Sequence, residues 1–564
     1  MISVSGRKWR EKKIDTNIVE KVQQDYSFSK IVSQLIVSRN FDENEIHQIE
    51  NNLILSNVFK KNSDFTKSVR LVEKTIKNKA NICILGDYDV DGSAATSLLV
   101  NFFQTLKHPH FYYIPDRIKD GYGATKKLFE KLILKKPKLI IMVDCGSTSF
   151  EAIDFLNSKN IDSLIIDHHE INNPFPKANM IINPKKNNGY SKYDYLCATS
   201  LTYFFLEMLA KKINHKINLR KYLIYVLLAT VADVMPLRKL NRLISIIALN
   251  EFEIKNNDAL SEIFKQSNKN NKINIDDLGY LIGPILNAGG RLGKSSYATK
   301  LLSANNHDDI RKISSQLISL NEKRKKIESN ILENIDFDKI EKTKDKLIIY
   351  YDPNINEGLL GIIASRFKDY FNKPSIIITK SNNILKGSAR SFYNYNIGKV
   401  IQILLKKNII LSGGGHNMAA GFTLKKDKLS IFKEFIHEDF LRKKNFSNDY
   451  FEYDAEISST GLNKNFYNDI KKIEPFGSGN PAPIFLLKDF KVMNYKIHNK
   501  KHISCIIKSK LGFSIKSISF NSMNTDIGNY LLNSKKTFNV IGQINESFWN
   551  NKKSLQLIIK DLLL

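Results

Sequence analysis

Three aspartates stand at alternate positions, Asp87, Asp89 and Asp91, in the stretch GDYDVDG. Carboxylates this close repel one another and raise each other's pKa unless cations share the site. A divalent-metal cradle is the simplest chemistry for them. Asp144 in VDCGS, the run Asp167-His168-His169-Glu170, and Asp233 in VADVMPL carry the same donor types further along the chain. Oxygen-rich ligands with one or two imidazoles suit Mn²⁺ or Mg²⁺ better than a thiolate-selected metal. An EF-hand loop also begins D-x-[DN]-x-[DN]-G, but the position that needs its bidentate glutamate holds Leu98, and a strand pattern precedes the loop. Two plainer readings stand beside the metal: helix-capping aspartates for the triad and Asp144, and a hydrogen-bonded core histidine for His168.

The elements that position these residues follow a repeated strand-then-helix pattern. Ile82 to Leu85 predicts a short buried strand before the triad, and Ser93 to Leu106 a helix after it, with Gly92 at the turn. Phe111 to Ile114 predicts a strand leading into the Gly-rich turn PDRIKDGYGAT; Leu139 to Val143, Leu164 to Ile166 and Met180 to Ile182 predict three more. Such units imply a parallel, doubly wound sheet, with ligands bound at the carboxyl ends of its strands. Successive strand ends then deliver Asp87/Asp89/Asp91, Asp144 and Asp167/His168/His169 to one edge. Asp233 follows YVLLATVA, a helix whose end points back towards that edge.

Length alone, 564 residues, suggests roughly three or four domains. Lys+Arg 86 against Asp+Glu 57 gives a net charge of +29, which favours a polyanionic partner. The four cysteines, Cys83, Cys145, Cys197 and Cys505, form no CxxC pair, so a reducing compartment fits. The N-terminal MISVSGRKWREKK has no apolar core for a signal peptide, and Tyr222 to Val234 is too short to span a bilayer. A soluble cytoplasmic protein with no membrane partner is the expectation.

GDYDVDG, VDCGS, DHHE and VADVMPL, in that order, resemble the four signature motifs of the DHH phosphoesterases. Within them the chain is similar to the RecJ-type single-strand-specific 5′→3′ exonucleases from about Trp9 to its end. The resemblance implies two ions, Mn²⁺ or Mg²⁺, with Asp144 bridging them. Asp91, His168 and Asp233 would complete one shell and Asp89 would hold the other ion, with Asp87 and Asp167 supporting the ligands from behind. Of neighbouring His168 and His169, one ligates while the other contacts the scissile phosphate or orients its neighbour. Also implied are single-stranded DNA as substrate, 5′-mononucleotides as product, service in DNA repair and recombination, a single-strand-binding protein and a helicase as partners, and a monomer. The rival activities are a nanoRNase or cyclic-dinucleotide phosphodiesterase, and a non-catalytic single-strand-binding scaffold; every ligand position being filled argues against the last.

Further motifs extend the resemblance. Asn287-Ala288-Gly289-Gly290-Arg291-Leu292-Gly293 is a flexible Gly-rich segment with one fixed cation; a Walker A reading of it fails at Ala288. In RecJ-like proteins this segment lies at the substrate cleft, which would place Asn287 and Arg291 on the backbone phosphate. Apolar residues at helical spacing from Ile310 to Ile335, with Arg324 in one apolar slot, predict a long helix joining two domains. A second α/β domain follows, with Ser388 and Arg390 in KGSARS and with Gly414, Gly415 and His416 in a glycine run whose backbone N–H groups can approach an anion, Arg390 and His416 adding donors; a Gly-rich turn with no ligand is the plainer reading. This second domain resembles the DHHA1 domain, whose GGGH motif closes over substrate. One departure is Asn356, where RecJ-like proteins often carry histidine. From about residue 450, strand-like runs with interleaved Phe490, Lys491, Tyr495, Lys496, His502, Phe548 and Trp549, and the RecJ-like turn EPFGSGNP, predict an OB-like barrel; binding single strands needs a basic groove and stacking faces, although aromatics in strands are more often core than stacking platform. The expected plan is a helical segment 1–80 packed on a DHH domain 81–305, a connecting helix 306–340, a DHHA1 domain 341–448 and an OB-like domain 449–564.

Overall fold

The computed structural model describes the chain apart from residues 1–2, 51–52, 117–119, 121–122, 187–189, 271, 393–394, 443–449 and 550–551. Residues 117–119 and 121–122 of the expected PDRIKDGYGAT turn, the boundary near 448, and the side chains of Phe548 and Trp549 therefore lie outside the described residues. The chain forms two compact units. One comprises Leu55–Met235 and Ile247–Ser447; the other comprises Met1–Ile54, Pro236–Ile246 and Asn448–Leu564, and includes the first strand, β1 (Trp9–Glu11).

The larger unit contains two sheets. In the first, β2 (Ile82–Leu85), β3 (His110–Tyr113), β4 (Leu139–Val143), β5 (Asp162–Ile166) and β6 (Met180–Ile182) are all parallel, in the order β3–β2–β4–β5–β6. Their apolar runs are buried on both faces, as parallel strands require. Cys83, Leu85, Ile140, Met142 and Ile165 pack against Leu128, Phe129, Ile153 and Leu156 on one side. Helices Val90–Thr105, Ala198–Lys212 and Leu223–Ala232 are buried around most of their circumference. The strand order reverses between β2 and β4, so the triad after β2 and Asp144 after β4 flank the crevice where such sheets bind ligands.

The second sheet comprises β7 (Ile348–Tyr351), β8 (Ser375–Ser381), β9 (Ile384–Arg390), β10 (Ser412–His416) and β11 (Ala419–Lys425). Its order is β10–β11–β9–β8–β7, with only β7 and β8 parallel. The GGGH residues are therefore an edge strand, not a free turn. Alternation along β9 buries Leu385, Gly387 and Ala389 and turns Ser388 and Arg390 to the other face. Register aligns Ser388, Gly421 and Gly414 in one row and Arg390, Ala419 and His416 in the next.

Helix His307–Glu333 joins the two sheets' domains and stops before the expected 340, with a separate helix at Phe337–Lys342. Arg324 occupies an apolar slot because its charge is met there. Its Nη1 donates to Glu328 Oε2 (2.6 Å), and Arg366, from helix Leu360–Phe371 of the second domain, donates to the same carboxylate at Oε1 (2.6 Å).

In the smaller unit, β12 (Phe451–Tyr453) pairs with β1; β13 (Ala455–Ile457), β14 (Phe485–His498), β15 (His502–Ser509), β16 (Ser514–Ser519), β17 (Phe538–Trp549) and β18 (Lys552–Leu563) form the third sheet. The order β14–β15–β16–β18–β17, with β17 returning to β14, closes a five-stranded barrel, and helix Asp526–Asn533 lies between β16 and β17. Phe490 is fully buried in the barrel core and offers no stacking face, whereas Tyr495 and Phe520 are about half exposed.

Residues 1–80 do not pack as one segment on the first domain, as expected from their helical pattern. Val32, Leu35, Ile36, Phe41 and Ile46 instead pack with Ala455, Ile457, Ile470, Ile473 and Phe485 of the barrel unit; only the stretch from Leu55, with helix Ser63–Lys77, stays with the first sheet's unit. Pro236–Ile246 is clamped into the barrel unit. Arg238 forks to Glu45 (2.7 Å) and reaches the carbonyls of Arg39 and Asn40; buried Arg242 donates to Gln48 and to the carbonyls of Lys472 and Glu474. The EPFGSGNP turn lies on this segment: a Cβ on Gly477 would stand 2.6 Å from Leu237, and one on Gly479 2.8 Å from Pro236.

Candidate metal centre

Asp89 caps helix Val90–Thr105 by accepting from Gly92 N (3.0 Å), so the capping reading holds for it without excluding a ligand role for its second oxygen. Gly92 must be glycine, because a Cβ would stand 2.6 Å from Asp87 N. Asp91, in the first turn, is buried and accepts from Ala198 N and Thr199 N (both 2.8 Å), the amino end of the next helix. Asp144 takes a left-handed conformation (φ +60°) at the end of β4, and Asp233 caps helix Leu223–Ala232 at its carboxyl end.

These elements converge. His168 Nε2 lies 3.6 Å from Asp91, 3.3 Å from Asp144 and 3.5 Å from Asp233 carboxylate oxygens. Three ligand sets have donor atoms within 4.8 Å of one another: Asp91/His168/Asp233, Asp87/Asp89/Asp144 and Asp144/His168/His169. Asp144 belongs to two of them. Asp87 groups directly with Asp89 and Asp144, closer to the donor set than the sequence reading placed it. Asp144 Oδ1, Asp233 Oδ2 and His168 Nδ1 are buried without a hydrogen-bond partner. Orphaned carboxylate oxygens facing an imidazole are an arrangement that a divalent cation satisfies.

The electrostatics agree. Burial, then the charges of Asp91, Asp89 and Asp87, push Asp144 well above the carboxylate range; burial with Asp91 and Asp89 does the same to Asp233. Burial, then His169, lowers His168 to about 3, leaving a neutral imidazole fit to ligate. Asp167 behaves oppositely. Burial would raise it, but His169 and four donated hydrogen bonds, from Ser147 N, His168 N, His169 N and His169 Nδ1, hold it well below the usual range. So occupied, Asp167 orients His169. Burial would lower His169, but Asp167 outweighs it and raises the imidazole to about 9.

The remaining predicted residues lie around this cluster. His416 stands with its ring centroid 5.8 Å from His168 and 5.6 Å from His169, and burial, then Lys185, lowers it to about 4. The Asn287–Arg291 segment is not a flexible loop. It ends helix Gly283–Arg291, with glycines inside the helix because a Cβ on Gly289 would meet Lys294 O, and one on Gly290 would meet Tyr88 O, each at 2.7 Å. Arg291 Nη1 reaches Gly358 O (3.5 Å), and Arg390 contacts Ser388 and lies where a Cβ on Gly361 would intrude. Asn356 caps the short turn Glu357–Leu359 by accepting from Gly358 N (2.8 Å). Sequence reading missed Ser147, Asn183 and Lys185. Asn183, immediately after β6, donates to Ser147 Oγ and His169 O (both 2.9 Å); its place at a strand end was the available signal.

Comparison with known proteins accords with this geometry. Three family models match: the DHH family N-terminal domain at residues 81–230, the DHHA1 domain at 344–441 and the RecJ OB domain at 453–561. The single-stranded-DNA-specific exonuclease RecJ of Haemophilus influenzae is 30% identical over 521 residues, 87% of this chain and 89% of that protein. RecJ of Bacillus subtilis is 26% identical over 99% of this chain and 71% of its own length. The crystal structure of RecJ with Mn²⁺ from Thermus thermophilus shares the fold, with a TM-score of 0.81 and 20% identity over 99% of this chain and 79% of that one. The Mg²⁺ complex from the same source gives 0.75. With its three domains in RecJ order and its donors gathered at the switch point of the first sheet, the chain belongs to the RecJ family of single-stranded-DNA-specific exonucleases.

Proposed function

We propose that this chain hydrolyses single-stranded DNA from its 5′ end, releasing 5′-mononucleotides, with two divalent cations, Mn²⁺ or Mg²⁺. The supporting observation is Asp144, which groups with Asp87 and Asp89, carries a buried oxygen without a hydrogen-bond partner, and places that oxygen 3.3 Å from His168 Nε2 of the Asp91/His168/Asp233 set. In this reading Asp91, His168 and Asp233 hold one ion, Asp87 and Asp89 hold the other, and Asp144 serves both. When bound, the ions lower the pKa of a water and neutralise charge on the non-bridging oxygens. His169, oriented by Asp167, is placed to contact the scissile phosphate. Ser388, Arg390, Gly414, Gly415 and His416 present donors from one sheet, and Asn287 and Arg291 from the facing helix, to fix the strand in register. By family resemblance the reading extends to a cytoplasmic location, a monomer, a helicase and a single-strand-binding protein as partners, and service in repair and recombination.

Asp144→Ala should abolish hydrolysis of a linear single strand while leaving single-strand binding largely intact, since phosphate contacts elsewhere supply it. A bulky 5′ block should stop the wild-type protein and a 3′ block should not. Near-normal turnover by the variant, or digestion of a circular strand as fast as a linear one, would refute the reading. Faster cleavage of RNA dinucleotides or cyclic dinucleotides than of long strands would favour the short-substrate phosphodiesterases instead.

A further inference from the structure

Lys185 stands beside the metal cluster without belonging to it. Its backbone is fixed, since its N–H donates to Asn183 Oδ1 (2.9 Å) and Asn183 is tied to Ser147 and His169. Its Nζ pairs with Glu170 Oε1 at 3.0 Å, yet the lysine side chain is only 16% exposed while that of Glu170 is 52% exposed. The ammonium is thus drawn inwards and its partner faces solvent, the reverse of an ordinary surface pair. Its charge is felt by Asp233 of the metal cluster and by His416 on the second sheet.

We propose that Lys185 is a substrate contact whose ammonium leaves Glu170 for a non-bridging oxygen of the backbone phosphate that lies between the ligand cluster and His416. This rests on the proposed single-strand hydrolysis. A lysine suits the role because it is a point charge on a flexible stem with three rotatable donors, able to exchange one anionic partner for another. Glu170 then acts as the resting partner, holding Nζ in place until phosphate competes for it. The competing role for Lys185 is to balance the charge of the five aspartates without touching substrate.

Lys185→Met keeps the stem and removes the charge. Binding and turnover of a single-stranded oligonucleotide should show KM raised about tenfold or more, as for loss of a charged hydrogen bond. The log–log salt slope for binding should weaken by about 0.7, as for one phosphate contact on a single strand. Mn²⁺ binding without DNA, followed by electron paramagnetic resonance titration, should stay within about twofold of wild type, while Lys185→Arg should retain most of the affinity for DNA. Glu170→Gln should leave KM equal or lower. Unchanged KM and salt slope in Lys185→Met, or tighter Mn²⁺ binding with unchanged DNA affinity, would overturn the assignment and identify a charge balancer. A wild-type protein that neither binds nor degrades single strands would overturn the underlying function together with this inference, an outcome distinguishable by the control alone.

Discussion

Gly290→Ala tests whether the metal-site geometry depends on the close approach of helix Gly283–Arg291 to the aspartate loop. In an exposed helix this change stabilises by about 1 kcal/mol. Here the new Cβ would stand 2.7 Å from Tyr88 O, 3.0 Å from Tyr88 Cδ2 and 3.3 Å from Tyr88 Cβ, and Tyr88 lies between Asp87 and Asp89. Restoring an ordinary contact to the carbonyl oxygen requires a separation of roughly 0.6 Å, and the obstacle is backbone, which cannot rotate away. Overpacking of this kind costs about 1–3 kcal/mol, so the propensity gain offsets part of it and the net loss of stability is about 0–2 kcal/mol. The catalytic effect should be larger: misplacement by about 1 Å can cost a hundredfold, so a shift of this size predicts a fall in kcat of about ten- to a hundredfold. Single-turnover digestion of a 5′-phosphorylated single strand at saturating Mn²⁺, with thermal denaturation alongside, separates the two effects. A kcat within about twofold of wild type would refute the reasoning, because the aspartate loop would then tolerate the displacement.

Two further predictions concern stability. Glu45 is buried; burial is the largest influence and would raise it, but bonds from Arg238, Lys239 N and Asp42 N hold its carboxyl below the ordinary value of 4.5. Its contribution is therefore complete above that unfolded value and is lost as pH falls through the lower folded one. Glu45→Gln should cost about 1–3 kcal/mol at neutral pH and nothing once both states are protonated, and parallel urea curves at all pH values would contradict this. Val234, beside Asp233, adopts φ +57° although β-branched and 70% exposed. Val234→Asn should raise stability by about 1 kcal/mol, read from the urea midpoint, and a lower midpoint would show that the valine packs usefully.

The sequence was most legible where one physical cause dominated. Ile82–Leu85, Leu139–Val143 and Met180–Ile182 are strands at the expected residues because continuous apolar runs have no alternative to burial in a parallel sheet. The gathering of Asp87, Asp89, Asp91, Asp144, His168 and Asp233 followed from that topology. Glycines misled. Gly289 and Gly290 suggest a loop by composition, yet they sit in a helix because neighbouring backbone leaves no space for a Cβ, which is information held by the partner. The three glycines before His416 likewise form a sheet edge, one of them because β11 lies where a Cβ would go. Long-range partnership was also invisible. Helix Lys30–Ser38 has an apolar face, but nothing within it states that the face meets residues more than 400 positions later. The same pairing means the barrel cannot be removed cleanly at residue 450, since Val32, Leu35 and Ile36 would lose their cover.

The clasp between Ser3–Trp9 and Asp561 bears on how the protein is made. Buried Asp561 accepts from Ser3 Oγ (2.6 Å), Ser5 Oγ (2.5 Å) and Trp9 Nε1 (2.8 Å), and β1 pairs with β12. The smaller unit thus draws its first stretch from Met1–Ile54 and its last from Asn448–Leu564. A ribosome adding about 5–20 residues per second needs roughly 20–80 seconds to span the gap of about 390 residues. Through that interval the nascent amino-terminal helices carry an apolar face whose partners have not been translated. Most of the larger unit, meanwhile, can fold as it emerges. The smaller unit completes its barrel only once β18 has been made, so its early helices are the segment that waits longest for cover.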